Sequence, residues 1–262
     1  MKQLLGVTPG VFCLIFCLIK CICTMGIAME IKGKVVLVTG ANRGLGEQFA
    51  KALLAAGASK VYASARDKSQ VKVPGVEAVQ LDVTNTQSIA AAADSLTDVQ
   101  IVINNAGAII GGSLLDGASI DAVRSQVETN VIGPLAITQA FAPILKRNGG
   151  GAVVNILSVL SWLTIENTGS YSASKSAAWA ITNGLRTELR GQNTLVVGVH
   201  PAFIDTDMTA GIDAPKTSPE DVVRQVLEGI EQGKEEILVD EVGRNVKTSL
   251  SSATPAYLTP AH

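Results

Sequence analysis

From Lys34 to Val239 the chain alternates short apolar runs with longer amphipathic stretches, and this alternation limits the possible folds more than any other feature. Val35–Thr39, Val61–Ala65, Ala78–Leu81, Ile101–Ile103, Ala152–Leu157, Thr194–Val199 and Glu236–Val239 read as strands. Glu47–Ala56, Thr84–Leu96, Ile120–Leu145, Tyr171–Leu189 and Pro219–Glu231 read as helices, the first ending at Gly57, a position suited to a left-handed helix stop. Strands that are apolar throughout need cover on both faces. Right-handed crossovers then predict an α/β fold: a doubly wound parallel β-sheet with helices on both faces. Such a sheet binds ligands in the crevice outside the carboxyl ends of its strands, so the residues just after each strand are the site candidates.

The residue inventory excludes several chemistries. The four cysteines, Cys13, Cys17, Cys21 and Cys23, precede the first strand, so the body carries no disulfide framework, thiolate zinc site or cysteine nucleophile. His200 and the terminal His262 are the two histidines, too few for a histidine-rich metal site or a Ser-His-Asp arrangement. No metal site is expected. A formal net charge of −2 with no basic stripe argues against nucleic acid as a partner.

Residues 1–29 stand apart. They hold Lys2, an apolar run, Lys20, a second apolar run and no acid. Three readings are open: a start assigned upstream of Met25 or Met29, a membrane anchor interrupted by Lys20, or a secretory signal without a clean cleavage site. Membrane association depends on the anchor reading. Residues 30–247 read as one domain, and 248–262, rich in Ser, Thr and Pro, as a flexible tail.

The first chemical motif is Gly40-Ala41-Asn42-Arg43-Gly44-Leu45-Gly46, between the first strand and the first helix. Glycines there allow a tight turn and let a pyrophosphate approach the helix N-terminus, whose free N–H groups and dipole favour anions. An acid after the second strand would select the free ribose hydroxyls of NAD. Arg66 stands there instead, and Arg43 lies in the glycine loop. Two guanidinium groups suit a 2′-phosphate, so NADP(H) is favoured over NAD(H). Tyr171 and Lys175 are four apart on a helix and share a face. An ammonium beside a phenol is expected to lower its pKa and make it a proton carrier at a substrate oxygen.

These motifs, with Asn104-Asn105-Ala106-Gly107 after the fourth strand, Asn130, and Ser158 placed 13 residues before Tyr171, resemble the short-chain dehydrogenase/reductase (SDR) family in its short classical form. The resemblance covers about residues 32–240 and implies a Rossmann-type fold and an NADP-dependent oxidoreductase. It implies that Tyr171 is the general acid or base, that Lys175 holds the nicotinamide ribose, and that Ser158 bonds the substrate oxygen. It further implies that Asn130 anchors a water relay from Lys175 to solvent. Asp82 and Val83 would meet the adenine. Asn105, Ala106 and Gly107 would line the cofactor, and Pro201, Ile204 and Thr206 the nicotinamide. The family usually shows Pro-Gly where this chain has Pro201-Ala202, and a positive φ at Ala202 would cost about 1 kcal/mol. His200 reads as a packed or capping residue.

Ile109, Ile110, Leu160, Trp162, Ile165, Phe203 and Met208 follow the motifs and predict a small apolar aldehyde, ketone or alcohol substrate. Asp207–Ser218 reads as a short lid. The competing function is a catalytically silent NADP-binding sensor, which would be expected to lack Tyr171 or Lys175. A sugar epimerase would need a larger substrate domain. The resemblance suggests a homodimer or homotetramer packed through the helices carrying Asn130 and Tyr171, and NADPH-dependent reduction suggests a cytoplasmic setting.

Overall fold

The structure is a computed structural model that describes residues 28–258. The readings placed on residues 1–27 and 259–262 lie outside the described residues. Seven strands form one parallel sheet: β1 Val35–Val38, β2 Lys60–Ala65, β3 Glu77–Gln80, β4 Ile101–Asn104, β5 Gly151–Ile156, β6 Thr194–His200 and β7 Glu236–Leu238. Their order across the sheet is β3-β2-β1-β4-β5-β6-β7, and every pairing is parallel. The order reverses between β1 and β4, so the crevice there is the switch point where such sheets bind ligands.

The helices are α1 Gly44–Ala55, α2 Thr86–Ser95, α3 Ser119–Val127, α4 Gly133–Arg147, α5 Gly169–Leu189, α6 Pro219–Glu231 and α7 Glu241–Ser249. Alternating side chains on each strand feed two separate cores. Val36 and Val38 pack with Phe49 and Leu53 of α1 and Val222, Val226 and Ile230 of α6. Leu37 points the other way, into a core with Ile89 of α2, Ile137 and Phe141 of α4 and Leu185 of α5. Phe49 and Phe141 are fully buried, one on each face, and truncating either to Ala is expected to cost about 3–5 kcal/mol. α1 stops at Gly57 (φ 82°), as its sequence predicts.

Three expectations are corrected. The long helix over Ile120–Leu145 is broken by a π-helical turn at Glu128–Ile132. Pro134 lacks an N–H, so the carbonyl four residues earlier loses its helical donor, and the helix widens to take one extra residue around Asn130, which is buried. The stretch Glu241–Ser249, where the sequence reading places no helix and begins the flexible tail at 248, is a helix capped by Asp240, whose Oδ1 accepts from Gly243 N (2.7 Å). The chain beyond Lys247 is not loose as far as Leu258. Leu250 and Ala256 pack against the Val159–Trp162 cluster, and Ala256 N donates to Ser249 Oγ (3.1 Å). Among the described residues no helix is long and apolar enough to cross a membrane.

Candidate active site

The glycine loop is held in place by its neighbour across the switch point. Thr39 Oγ1 accepts from the N–H groups of Asn105 and Ala106 (both 3.0 Å), and Asn105 Nδ2 donates to the carbonyls of Thr39 (2.9 Å) and Gly40 (3.1 Å). Gly40 and Gly44 have φ of 65° and 54°. At Gly40 a Cβ would also come within 2.9 Å of Ala106 Cα, and at Gly46 within 2.2 Å of the Gly40 carbonyl oxygen. Only glycine fits these positions. Arg43 begins α1 in extended geometry and no side chain caps the helix, which leaves the first-turn N–H groups for an anion. This cradle is what a dinucleotide pyrophosphate requires, so the residues present fit the expected cofactor.

The other proposed cofactor residues line the same carboxyl edge. Asn42 Nδ2 donates to Gln70 Oε1 (3.3 Å) beyond β2. Arg66 is exposed and lies near enough to Asp82 to help hold its carboxyl low, though two bonds from Thr84 (2.9 and 2.8 Å) contribute more. Arg43 is exposed and pairs with Asp207 (3.5 Å). Leu45 belongs to the α1 core rather than to the loop surface. Val83 likewise turns its side chain inward, where a Cβ on Gly133 would touch it at 3.2 Å. Thr206 overhangs the loop, its Cγ2 3.5 Å from where a Gly44 Cβ would stand. Pro201 is buried and Ile204 half-buried against the α1 core. Bonds between Asp205 and Thr217 (3.0 Å) and between Thr217 and Phe203 (2.8 Å) clasp the ends of the lid.

The second half of the edge is a buried polar cluster. Asn130, thrown inward by the π turn, accepts from Ala108 N and donates to Ala108 O (both 2.8 Å). It also donates to Ser174 Oγ (3.0 Å), which in turn donates to the Tyr171 carbonyl (2.7 Å). Lys175 Nζ donates to the Ile156 carbonyl (2.7 Å) at the end of β5 and sits 5.6 Å from the centre of the Tyr171 ring. A Cβ on Gly107 would come within 3.3 Å of Asn130 Oδ1 and 4.0 Å of Lys175 Nζ, so three of the expected motifs meet at one point. Ser158 caps the turn Val159–Ser161, its Oγ accepting from Leu160 N (3.1 Å).

Burial sets the protonation here. It pushes Tyr171 up to about 12, against the pull of the Ser158 hydroxyl, and lowers Lys175 to about 8. The expected lowering of Tyr171 by Lys175 is therefore corrected: Nζ bonds the Ile156 carbonyl, and desolvation decides the phenol. At neutral pH Tyr171 is a phenol and Lys175 an ammonium.

Two further expectations change. Ala202 does not have a positive φ: among the described non-glycine residues only Asn167 and Asn193 do. The expected strain is absent. Leu160 and Trp162, predicted to line a substrate pocket, are 6% and 8% exposed in a core with Val246 of α7. Ile109, Ile110 and Met208 are exposed. Sequence reasoning missed Ser174, which lies inside the Tyr171–Lys175 segment and could have been found there. It also missed Gln126, which ties Ile110 N (3.0 Å) and Ser170 Oγ (2.7 Å) together and carries no sequence signal.

Residues 34–217 match the model of the short chain dehydrogenase family. An uncharacterized oxidoreductase of Staphylococcus aureus (strain USA300) is 33% identical over 215 residues, covering 77% of this chain and 92% of that one. The crystal structure of a short chain dehydrogenase from Burkholderia cenocepacia in complex with NADP is 37% identical. It aligns with TM-score 0.84 over 88% of this chain and all of that one. A short chain dehydrogenase/reductase from Burkholderia phymatum in complex with NAD, 24% identical, shares the fold with TM-score 0.78 over 89% of this chain and 99% of that one. The chain belongs to the short chain dehydrogenase family and is an NAD(P)-dependent oxidoreductase acting on alcohol or carbonyl groups.

Proposed function

We propose that the protein reduces a small, largely apolar aldehyde or ketone with NADPH, and runs in reverse on the alcohol. The observation that carries this reading is the meeting of Ser158, Tyr171, Lys175 and Asn130 beside the glycine cradle, with Tyr171 half-buried and held as a phenol. A bound nicotinamide supplies the hydride. The chain then has to hold the carbonyl and deliver one proton. Ser158 Oγ bonds the substrate oxygen and stabilises charge as it develops. The Tyr171 hydroxyl gives its proton to that oxygen, and its high pKa makes it fully protonated for reduction. Lys175, an ammonium at neutral pH, stabilises the resulting phenolate and binds the nicotinamide ribose.

Reprotonation of Tyr171 needs a path. A cavity of about 10 Å³, the lower bound for one water, is lined by Asn104, Asn130, Asn155, Lys175 and Thr182 among others. It supports a relay from Lys175 past Asn130. Arg43, exposed in the glycine loop, and Arg66, exposed after β2, support NADP(H) over NAD(H), as does the NADP bound to the Burkholderia cenocepacia relative. A cleft of about 260 Å³ between the Ile110–Asp116 loop and the start of α3, with Ser170 in its wall, supports a small substrate. Exposed Leu115 and Ile120 on the same side support self-association through the helices carrying Asn130 and Tyr171. NADPH as reductant supports a cytoplasmic setting.

The test is a panel of aliphatic and aromatic aldehydes and ketones followed at the NADPH absorbance, with NADH as control. Turnover of apolar carbonyls with NADPH preferred is expected. A preference for NADH would overturn the roles of Arg43 and Arg66, and no turnover on any carbonyl would overturn the reaction.

A further inference from the structure

His200 is fully buried at the end of β6, and the chemistry above does not use it. Its Nδ1 lies 3.1 Å from the carbonyl oxygen of Ser158. A carbonyl only accepts, so Nδ1 carries the proton and Nε2 is bare. Burial lowers the imidazole to about 4, so the ring is neutral at working pH. The next residue completes the grip: Val159 N donates to the Pro201 carbonyl (2.9 Å). The peptide plane that joins Ser158 to Val159 is thus held at its oxygen by His200 and at its N–H by Pro201.

The imidazole is itself held from behind. The Trp162 ring stacks on it at 4.0 Å and 16°. Lys247 of α7 lies 4.9 Å over Trp162 and pairs with Glu236 (2.6 Å), whose carboxylate is 3.8 Å from His200 Nε2. Arg186 of α5 is the remaining charge that acts on the ring. α7 also grips the backbone after His200. Asp240 Oδ2 accepts from Ala202 N (2.7 Å), and a Cβ on Gly243 would come within 3.2 Å of the His200 carbonyl. The C-terminal helix, far along the chain from Ser158, therefore reaches it through one stacked ring.

We propose that His200 is a positioning residue for the reaction: its Nδ1–H fixes the Ser158 carbonyl and so aims the Ser158 hydroxyl, with Trp162 and the Glu236–Lys247 pair of the C-terminal segment locking the ring. The substrate serine is then a property of β5, β6, β7 and α7 together, not of the Ser158 loop alone. This rests on Ser158 bonding the substrate oxygen.

Two measurements test it. The chain has two histidines, so nitrogen-15 spectra of the full-length protein report His200 against the terminal His262. The Nδ1–H tautomer is expected to persist from about pH 8 to about pH 5; an Nε2–H tautomer or an imidazolium in that range would overturn the proposal, whatever the reaction. In steady state, His200→Leu removes the donor, and His200→Asn puts an amide donor where Nδ1 stands. His200→Leu is expected to lower kcat about tenfold or more while KM for NADPH stays within about twofold, with His200→Asn recovering most of the loss. Equal losses in both variants, a loss in NADPH affinity that matches the loss in kcat, or an unchanged kcat in His200→Leu would overturn it. A parent enzyme inactive on every carbonyl would instead remove the function reading, and with it the role though not the tautomer.

Discussion

The glycine loop after β1 and the start of α5 face the same crevice, yet one is made of absent side chains and the other of buried ones. At Gly40, Gly44 and Gly46 the backbone itself is the proposed binding surface, and any added carbon strikes Ala106, strains the turn or strikes the Gly40 carbonyl. At Asn130, Ser158 and Lys175 the surface is a set of polar groups taken out of water, with half-buried Tyr171 beside them, held by Ser174 and by backbone groups of Ala108, Ile156 and Leu160. The first kind of site is steric and tolerates no increment. The second is electrostatic: its protonation states follow from desolvation, so it responds to pH and to isosteric changes that leave the shape alone.

That contrast can be broken by single substitutions. Gly46→Ala forces a carbon to 2.2 Å from a backbone oxygen, which cannot rotate away. Its dinucleotide affinity is expected to fall about a hundredfold or more, equivalent to about 2.7 kcal/mol, with the far-ultraviolet spectrum unchanged. Isothermal titration checks it, and an affinity within about threefold of the parent would mean that the loop relaxes and is not a rigid steric site. Arg66→Ala removes charge without touching shape. NADPH binding is expected to weaken about tenfold to a hundredfold while NADH binding holds, since a charge-assisted bond contributes about 1.5–3 kcal/mol.

The polar half should answer to pH. Lys175 loses its proton near 8, so kcat/KM for reduction is expected to fall above about pH 8, approaching tenfold per unit. Unfolding is not the cause, because the linkage runs the other way. The unfolded lysine keeps its proton to about 10.5, so between about 8 and 10.5 the unfolded chain binds more protons and the folded state gains stability with rising pH. A profile that tracks loss of folded protein would refute the assignment. The smallest effect is expected at Ala202, whose φ is not positive. Ala202→Gly should destabilise by about 0.4–1 kcal/mol, through the freer unfolded chain, rather than stabilise. Thermal denaturation reads the sign.

The two halves were also unequally legible in the sequence. Gly40, Gly44 and Gly46 are legible through their place between a strand and a helix, which a purely structural turn shares, and helical periodicity puts Tyr171 and Lys175 on one face; it is the order and spacing of these motifs with Asn130 and Ser158 that point to one site. The parallel sheet followed from apolar runs that need cover on both faces. What could not be read were quantities fixed by burial and by distant chain. Lys175 is four residues from Tyr171 whether or not it lowers the phenol; only its bond to Ile156 and the depth of the pocket decide that desolvation wins. Trp162 is as apolar as a pocket residue and as a core residue, and its packing against Val246 of α7, a strongly polar stretch of chain far along the sequence, decides which it is. The π turn was within reach, because Pro134 inside a helical pattern marks a break, but its inward turn of Asn130 was not.

The most direct test is Tyr171→Phe, which keeps the ring and its packing and removes the one proton that the proposed reaction transfers. Turnover of the best carbonyl substrate with NADPH should drop by about a thousandfold or more while NADPH binds within about threefold of the parent. Reduction at a rate near that of the parent would contradict Tyr171 as the acid.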